Sequence, residues 1–228
     1  MNKNKLYHLR QRGMYMNEKS QKIYQRGNRN IYINILPGHF ATNHSHVNFY
    51  VDMTSLKTRY SLAKLAAEAL AAKIGTSTAV DTIICLEGTE MIGAFVAQEL
   101  SKSSLMAMNS GVEINVLSPE LNVNNQMIFQ HNTQELVAGK CILLLIASVT
   151  TGKTIQRAID CLQYYQGHLT DIGAIFSAER AIGDVNIHAI FTEADLPQYE
   201  TYTPGNCLMC QEKRKINAII NNAGYTPI

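Results

Sequence analysis

The strongest constraint on the fold is an apolar run that passes directly into a turn rich in hydroxyl groups. The run is Ile142-Leu143-Leu144-Leu145-Ile146-Ala147. A continuous apolar run of this length is typical of a central parallel strand that is buried on both faces. After the turn, helical spacing relates four apolar residues: Ile155, Ala158, Ile159 and Leu162. The sequence therefore predicts a strand, a tight turn and a helix in immediate succession.

The turn of this unit has the composition of a phosphate-binding loop. Successive backbone N–H groups in such a turn point at an anion, the following helix presents its positive end, and threonine hydroxyls add donors. We therefore predict a phosphate site made by Ser148, Val149, Thr150, Thr151, Gly152, Lys153 and Thr154. The alternative is a buried strand that ends in a polar turn without a ligand.

Strands and helices alternate along the rest of the chain. Strands are predicted over 31–36, 47–53, 82–86, 112–117, 171–176 and 185–191. Further helices are predicted over 56–74, 91–100 and 212–222. This alternation predicts an α/β fold with a central, mostly parallel sheet that is flanked by helices. Ligands of such sheets bind at the carboxyl ends of the strands.

That rule brings three segments around one candidate site. They are the turn Glu87-Gly88-Thr89-Glu90, the polar stretch over 118–139 and the turn over 148–154. Long connections inside compact domains are often functional loops. We therefore expect the polar stretch to be a functional loop.

Charge is unevenly distributed along the chain. Residues 1–30 carry eight Lys or Arg and one acid, so the remaining residues have a net charge of −5. We predict a solvated basic arm over 1–30 and a single domain over 31–228. We expect no nucleic-acid partner, because no basic face rich in aromatic residues continues into the body. The sequence has neither an apolar run of about 18 residues nor a secretory leader, so we expect a cytoplasmic protein without a membrane span.

The sequence offers two partial sets of metal ligands. Cys207 and Cys210 form one Cys-x-x-Cys pair, and His39, His44 and His46 lie close together in another segment. A single cysteine pair is a weak zinc signal, and no cysteine or carboxylate near the histidines completes a set. We therefore assign no metal site and expect loop histidines, while metal binding by the cysteine pair stays open.

The order of elements from about residue 31 to residue 190 resembles the type I phosphoribosyltransferases, and orotate phosphoribosyltransferases in particular. Leu36-Pro37-Gly38-His39-Phe40 and Asn48-Phe49-Tyr50-Val51-Asp52 resemble the amino-terminal hood of that family. The turn over 87–90 stands at its short pyrophosphate-binding loop, and 142–154 at its phosphoribosyl-diphosphate signature. The resemblance implies a hood formed by 31–53 and 191–228, a core over 54–190, and a homodimer.

The signature departs from the family pattern in its acids. The resemblance implies that Thr150, Thr151, Gly152 and Thr154 cradle the ribose 5′-phosphate. The two family acids, which contact the ribose hydroxyls and influence bound magnesium, fall on Ile146 and Ala147. Lys153 stands where a glycine is common.

The other two departures concern the leaving group. The family's flexible catalytic loop corresponds to 118–139, where orotate enzymes supply a lysine. No Lys or Arg occurs between Lys102 and Lys140. Glu90 also puts a negative charge in a loop that should receive pyrophosphate, and like charge opposes binding.

These departures shape the functional prediction. Phosphoribosyl transfer depends on magnesium, on acids near the ribose and on cations near pyrophosphate. We therefore predict a protein that binds phosphoribosyl diphosphate, a nucleotide or another sugar phosphate, with catalysis attenuated or lost and no catalytic residue assigned. One alternative is an active phosphoribosyltransferase whose magnesium is held in an altered arrangement by Glu87, Glu90 and Glu120. The other is a P-loop NTPase, because 147–154 fits a loose form of that motif.

Overall fold

The computed structural model describes residues 20–102, 108–123, 126–221 and 224–228. Residues 1–19, which make up much of the predicted basic arm, lie outside this set. Contacts divide the chain into two compact units. The larger unit is Ser55–Thr192. The smaller unit consists of the described residues up to Thr54 together with Glu193–Ile228.

The described strands are numbered in chain order. They are β1 Gln21–Gln25, β2 Asn28–Ala41, β3 His46–Asp52, β4 Thr82–Cys85, β5 Asn115–Leu117, β6 Glu120–Leu121, β7 Met127–Ile128, β8 Cys141–Val149, β9 His168–Ser177, β10 Ala181–Ile182, β11 Val185–Thr192, β12 Thr201–Tyr202, β13 Ala218–Asn221 and β14 Gly224–Pro227. The α-helices are α1 Thr54–Thr58, α2 Tyr60–Ile74, α3 Glu90–Leu100, α4 His131–Gln134, α5 Lys153–Tyr164 and α6 Leu208–Gln211. Short 3-10 helices span Glu193–Asp195 and Pro204–Asn206. None of these described helices is long and apolar enough to cross a membrane.

The larger unit contains a sheet in the order β10-β11-β9-β8-β4-β5. All neighbours from β11 to β5 are parallel, and β10 adds an antiparallel edge. Strand β8 lies inside the sheet, and Ile142 to Ile146 are fully buried. The predicted α/β class with a mostly parallel sheet is confirmed, because the apolar run occupies the position that parallel packing demands.

Two predicted elements of the larger unit differ in detail. The helix predicted over 56–74 is interrupted at Arg59, whose backbone is extended. The polar stretch over 118–139 contains the short strands β6 and β7 and the helix α4. Met127, Phe129 and Val137 are buried there, so apolar side chains anchor a segment whose overall composition is polar.

The smaller unit contains a sheet in the order β12-β3-β2-β13-β14, with β1 paired to β2. This sheet begins at Gln21, before the first strand expected from the sequence. The strand predicted over 31–36 lies inside β2, which is longer than expected because it continues through Pro37-Gly38 to Ala41. Its pairing with β3 shifts register between Pro37 and Phe40, and such an irregularity accommodates a proline inside a sheet.

The helix predicted over 212–222 is wrong. Its second half is β13, which runs parallel to β2 with Ala218 opposite Phe40. Ala218 is buried whereas Ile219 is about half exposed, so burial alternates instead of following a helical face. Pairing with β2 and β14 therefore decides the conformation of this β-branched segment, as strand propensity depends strongly on its neighbours.

Candidate functional site

The predicted phosphate turn connects β8 to α5 at the carboxyl end of the parallel sheet. Helix α5 begins at Lys153, and Gly152 precedes it with a φ of 69°. Only glycine adopts this left-handed conformation without steric cost. A Cβ atom at Gly152 would also overlap Cδ1 of Ile182. The backbone conformation therefore favours glycine at this position, and a larger residue would also have to displace the end of the Ile182 side chain.

Three amide groups at the end of this turn have no hydrogen-bond acceptor among the described residues. The first N–H groups of a helix have no acceptor within that helix. Across the described ranges, no residue accepts a hydrogen bond from the amides of Thr151, Gly152 or Lys153. The side chains of Thr151, Lys153 and Thr154 are exposed. This combination of free amides and exposed donors is suited to receive an anion from solvent.

The turn over 87–90 lies beside the phosphate turn, as the sequence predicts. Glu87 and Gly88 have φ angles of 59° and 77°, which reverse the chain sharply after β4. Thr89 is buried, and its hydroxyl donates to the carbonyl oxygens of Leu86 at 2.9 Å and of Leu145 on β8 at 3.1 Å. These two bonds hold the loop against the end of β8.

Glu87 makes the direct contact between the two loops. Its Oε2 accepts a hydrogen bond from the backbone N–H of Ser148 at 3.0 Å and from the Ser148 hydroxyl at 3.4 Å. Lys57 Nζ donates to the Glu87 carbonyl at 2.9 Å. The amide of Ser148, which we predicted to bind phosphate, is therefore used by a carboxylate of the same protein.

Burial sets the electrostatics of Glu87. Loss of hydration raises the pKa of this carboxyl group, while the hydrogen bonds from Ser148 and the charge of Lys57 act in the opposite direction. Glu90 is exposed, and its Oε1 accepts a hydrogen bond from the Ser118 hydroxyl at 2.7 Å. The Glu87 carboxyl group thus contacts the turn over 148–154, whereas that of Glu90 contacts Ser118.

The positions of the missing family acids are apolar and enclosed. Ile146 is 0% exposed and Ala147 is 2% exposed. Of the three glutamates considered for magnesium, Glu120 accepts a hydrogen bond from Gln130 Nε2 at 3.0 Å. Glu87, Glu90 and Glu120 do not form a group of converging metal ligands within the described residues. Magnesium at this site stays a prediction.

A group of that kind lies instead in the smaller unit. The structure brings His39 and His46 together with Cys207 and Cys210. Sequence reasoning considered each half-set by itself and missed their combination. The available signal was the presence of two incomplete sets in the two segments, 31–53 and 191–228, from which the resemblance implies a hood. Residue spacing alone does not indicate which side chains of those segments meet.

Comparison with known proteins defines the fold. No protein-family model matches the chain, and no curated protein matches it in sequence. The orotate phosphoribosyltransferase of Aeropyrum pernix matches in structure with a TM-score of 0.50 and 16% identity, over 72% of this chain and 91% of that one. The UMP synthase of Leishmania donovani matches with a TM-score of 0.51 and 18% identity, over 72% of this chain and 34% of that one.

The chain therefore has a type I phosphoribosyltransferase-like fold. The fold class predicted from the alternation of strands and helices is confirmed, and so is the resemblance on which the site prediction was based.

Proposed function

We propose that this protein binds a ligand that carries ribose 5-phosphate, either phosphoribosyl diphosphate or a nucleotide, through Thr150–Thr154, and that its transferase activity is attenuated or lost. The supporting observation is the turn before α5, in which Gly152 is left-handed and buried, and the amides of Thr151, Gly152 and Lys153 have no acceptor among the described residues, next to exposed hydroxyl groups. Phosphate oxygens accept hydrogen bonds from such amides and gain from the positive end of the helix. Ser148 is left out of the proposed grip, because Glu87 accepts its amide proton.

The residues around the turn lack the charges that rapid phosphoribosyl transfer needs, which supports the proposal that catalysis is attenuated. A transition state with a cationic sugar and an anionic leaving group needs carboxylates near the ribose and cations near pyrophosphate. Ile146 and Ala147 supply no carboxylate, and the stretch over 118–139 supplies no Lys or Arg. Glu87 and Glu90 add negative charge where the leaving group would develop its own. Each lost stabilising group costs on the order of 10²- to 10³-fold in rate.

Calorimetric titration of the full chain with ribose 5-phosphate and with phosphoribosyl diphosphate tests the binding site. Gly152→Ala should reduce affinity by about 10-fold or more, because the turn can no longer keep its backbone conformation. Gly139→Ala is the matched control, since Gly139 has a φ of 70° but lies before β8 at the opposite end of that strand. Equal loss of affinity in both variants, or no binding by the native protein, would contradict the proposed site.

The catalytic half of the proposal needs a separate assay. Native protein is incubated with phosphoribosyl diphosphate, magnesium and a panel of nucleobases while pyrophosphate release is followed. We expect rates far below the roughly 1 to 10³ s⁻¹ of ordinary enzymes. Turnover within that range would contradict the proposal that transferase activity is attenuated, and it would favour an active transferase with a reorganised magnesium site.

The resemblance to type I phosphoribosyltransferases also supports a homodimer. Sedimentation velocity of the full chain over a range of concentrations tests this assignment. A single species with the mass of one chain at every concentration would contradict it.

A further inference from the structure

Two histidines and two cysteines of the smaller unit converge on one point. We call them the Cys2His2 cluster: His39 on β2, His46 at the start of β3, Cys207 just before α6 and Cys210 on that helix. Their side-chain ligand atoms all lie within 4.8 Å of one another. The cluster draws together residues that are up to 171 positions apart in the sequence.

Four distances define the cluster. His39 Nε2 is 3.1 Å from His46 Nδ1. The Sγ atoms of Cys207 and Cys210 are each 3.6 Å from His39 Nε2. Cys210 Sγ is 3.3 Å from His46 Nδ1.

These distances match the edges of a tetrahedron around zinc. With Zn–N bonds of about 2.0 Å and Zn–S bonds of about 2.3 Å, ideal geometry separates two nitrogens by about 3.3 Å and a nitrogen from a sulfur by about 3.5 Å. Two thiolates and two imidazoles are a ligand set that zinc prefers, whereas magnesium and calcium prefer oxygen. Small shifts of the side chains would place all four atoms at bonding distance from one ion.

A hydrogen bond on the far side of His39 prepares its ring for a metal. His39 Nδ1 lies 2.9 Å from the carbonyl oxygen of Arg214. A carbonyl oxygen only accepts, so Nδ1 carries the proton and Nε2 presents its lone pair to the cluster. Metal-binding histidines commonly make a bond of this kind, which fixes the tautomer and the ring orientation.

The backbone around α6 positions the two cysteines of the cluster and two hydrogen-bond partners of His39. Cys207 and Cys210 are three residues apart, so a helical turn brings their side chains to one face. Lys213 has a φ of 58°, which turns the chain after this helix and brings the Arg214 carbonyl to His39. Asn217 holds strand β2 close to this segment, since its Oδ1 accepts a hydrogen bond from the His39 amide at 2.7 Å.

The four residues of the cluster differ in their exposure to solvent. Cys207 is 0% exposed and His39 is 3% exposed, whereas His46 is half-buried and Cys210 is exposed. Both cysteines are free thiols. Two ligands are therefore held rigidly in the interior, and the outer pair leaves a path by which an ion can enter.

We propose that the Cys2His2 cluster binds one zinc ion with four protein ligands. A closed set of four ligands is typical of structural zinc sites. The ion would tie the β2–β3 hairpin to the segment after β12, two regions that are distant in the sequence. Because such a site does not exist in the unfolded chain, its binding free energy adds to the stability of the fold.

Metal analysis of the full chain is the first test. Protein produced with zinc in the medium and kept reduced should contain about one zinc per chain by elemental mass spectrometry. Replacement by cobalt should produce the intense visible bands of tetrahedral Co²⁺ and the charge-transfer bands of thiolate ligands. A chain that neither retains zinc nor shows these bands after reconstitution would overturn the proposal, as would an intramolecular Cys207–Cys210 disulfide in the freshly isolated protein.

Variants locate the ion. Cys210→Ser and His46→Asn should each weaken zinc binding by about 100-fold or more in competition with a chelator, since each removes one of four ligands. Cys161→Ser and His44→Asn are the matched controls, because neither residue belongs to the cluster. Cys210 is exposed, so its replacement leaves the packing unchanged and failure to fold does not confuse the result. Unchanged zinc affinity in both cluster variants would refute the assignment, whatever the outcome for ribose 5-phosphate.

Discussion

The two proposed sites of this molecule are built in opposite ways. The phosphate turn of the larger unit is one continuous stretch of chain, and its donors are chiefly backbone amides. The Cys2His2 cluster combines two pairs of residues from distant segments, and its ligands are all side chains. A backbone site should be sensitive to local conformation and tolerant of side-chain changes. A side-chain site should show the reverse.

The difference also concerns what each site contributes to the fold. The turn is held by its strand and helix whether or not a ligand is bound, because β8 is buried among parallel neighbours. The cluster sits where β2 and β3 meet the segment around α6, so its ligand atoms meet only after the smaller unit has folded. We therefore expect a metal to affect stability far more than a sugar phosphate does.

The largest expected effect tests the strand that carries the turn. Ile146→Asp introduces an acid where the resemblance to type I phosphoribosyltransferases implies one, but it places a carboxylate at a fully enclosed position. We expect a loss of about 3–5 kcal/mol in the free energy of unfolding, because a buried charge without a partner is costly. Urea denaturation gives this value, with Ile146→Val as the control at about 1 kcal/mol. A stable Asp variant with gained transferase activity would show that the site tolerates the family chemistry.

Removal of zinc should destabilise the smaller unit and leave the stability of the larger unit unchanged. After treatment with a chelator, amide exchange in β2 and β13 should accelerate by about 10-fold or more, since local opening loses the cross-link. Exchange in β8 should remain at its original rate, because its protection depends on the parallel sheet. Mass spectrometry of peptides from both units measures the contrast in one sample. Uniform acceleration in all three strands would mean that the cluster does not act locally.

Glu87→Gln should strengthen ligand binding and change the pH dependence of stability. The variant keeps an acceptor for the Ser148 amide but removes a negative charge beside the proposed phosphate, so affinity for ribose 5-phosphate should rise by about 3- to 10-fold at neutral pH.

The sign of the pH effect follows from burial, which raises the pKa of Glu87 in the folded state. Its stabilising contribution is fully present below the unfolded pKa of about 4.3 and is lost as pH rises through the folded pKa. The advantage of the Gln variant over the native protein should therefore grow from pH 4 towards neutrality. Thermal unfolding of both proteins across this pH range measures the difference. If hydrogen bonds stabilised the Glu87 carboxylate more than burial destabilises it, the advantage of the Gln variant would shrink as pH rises, which would contradict the prediction.

Lys153→Ala should have the smallest effect. The side chain is exposed at the start of α5, while the backbone amides make most of the proposed grip. Affinity for ribose 5-phosphate should fall by about 2- to 5-fold, as for one surface charge near an anion. Lys64→Ala, which removes an exposed charge from α2, is the control. An ATP or GTP hydrolysis activity that disappears in the Lys153 variant would support a P-loop NTPase instead.

Local patterns predicted the larger unit well. The apolar run, the turn and the helical spacing after it correspond to β8 and α5 because each depends on neighbours in sequence. In the smaller unit the same reasoning found strands within β2 and at β3, but it failed for the last predicted element. A helical pattern over 212–222 became strand β13, since pairing with β2 outweighed the spacing of three isoleucines.

The sequence by itself determined the class of fold and the position of the turn that we propose binds phosphate. A buried parallel strand followed by a glycine-containing turn and an amphipathic helix is a local arrangement with few alternatives. Only the tertiary structure decided that Glu87 accepts the Ser148 amide and that His39 and His46 meet Cys207 and Cys210. These contacts join residues 61 positions apart in the first case and up to 171 in the second. Contacts at such separations depend on how strands pair and how the chain returns, which residue periodicity does not encode.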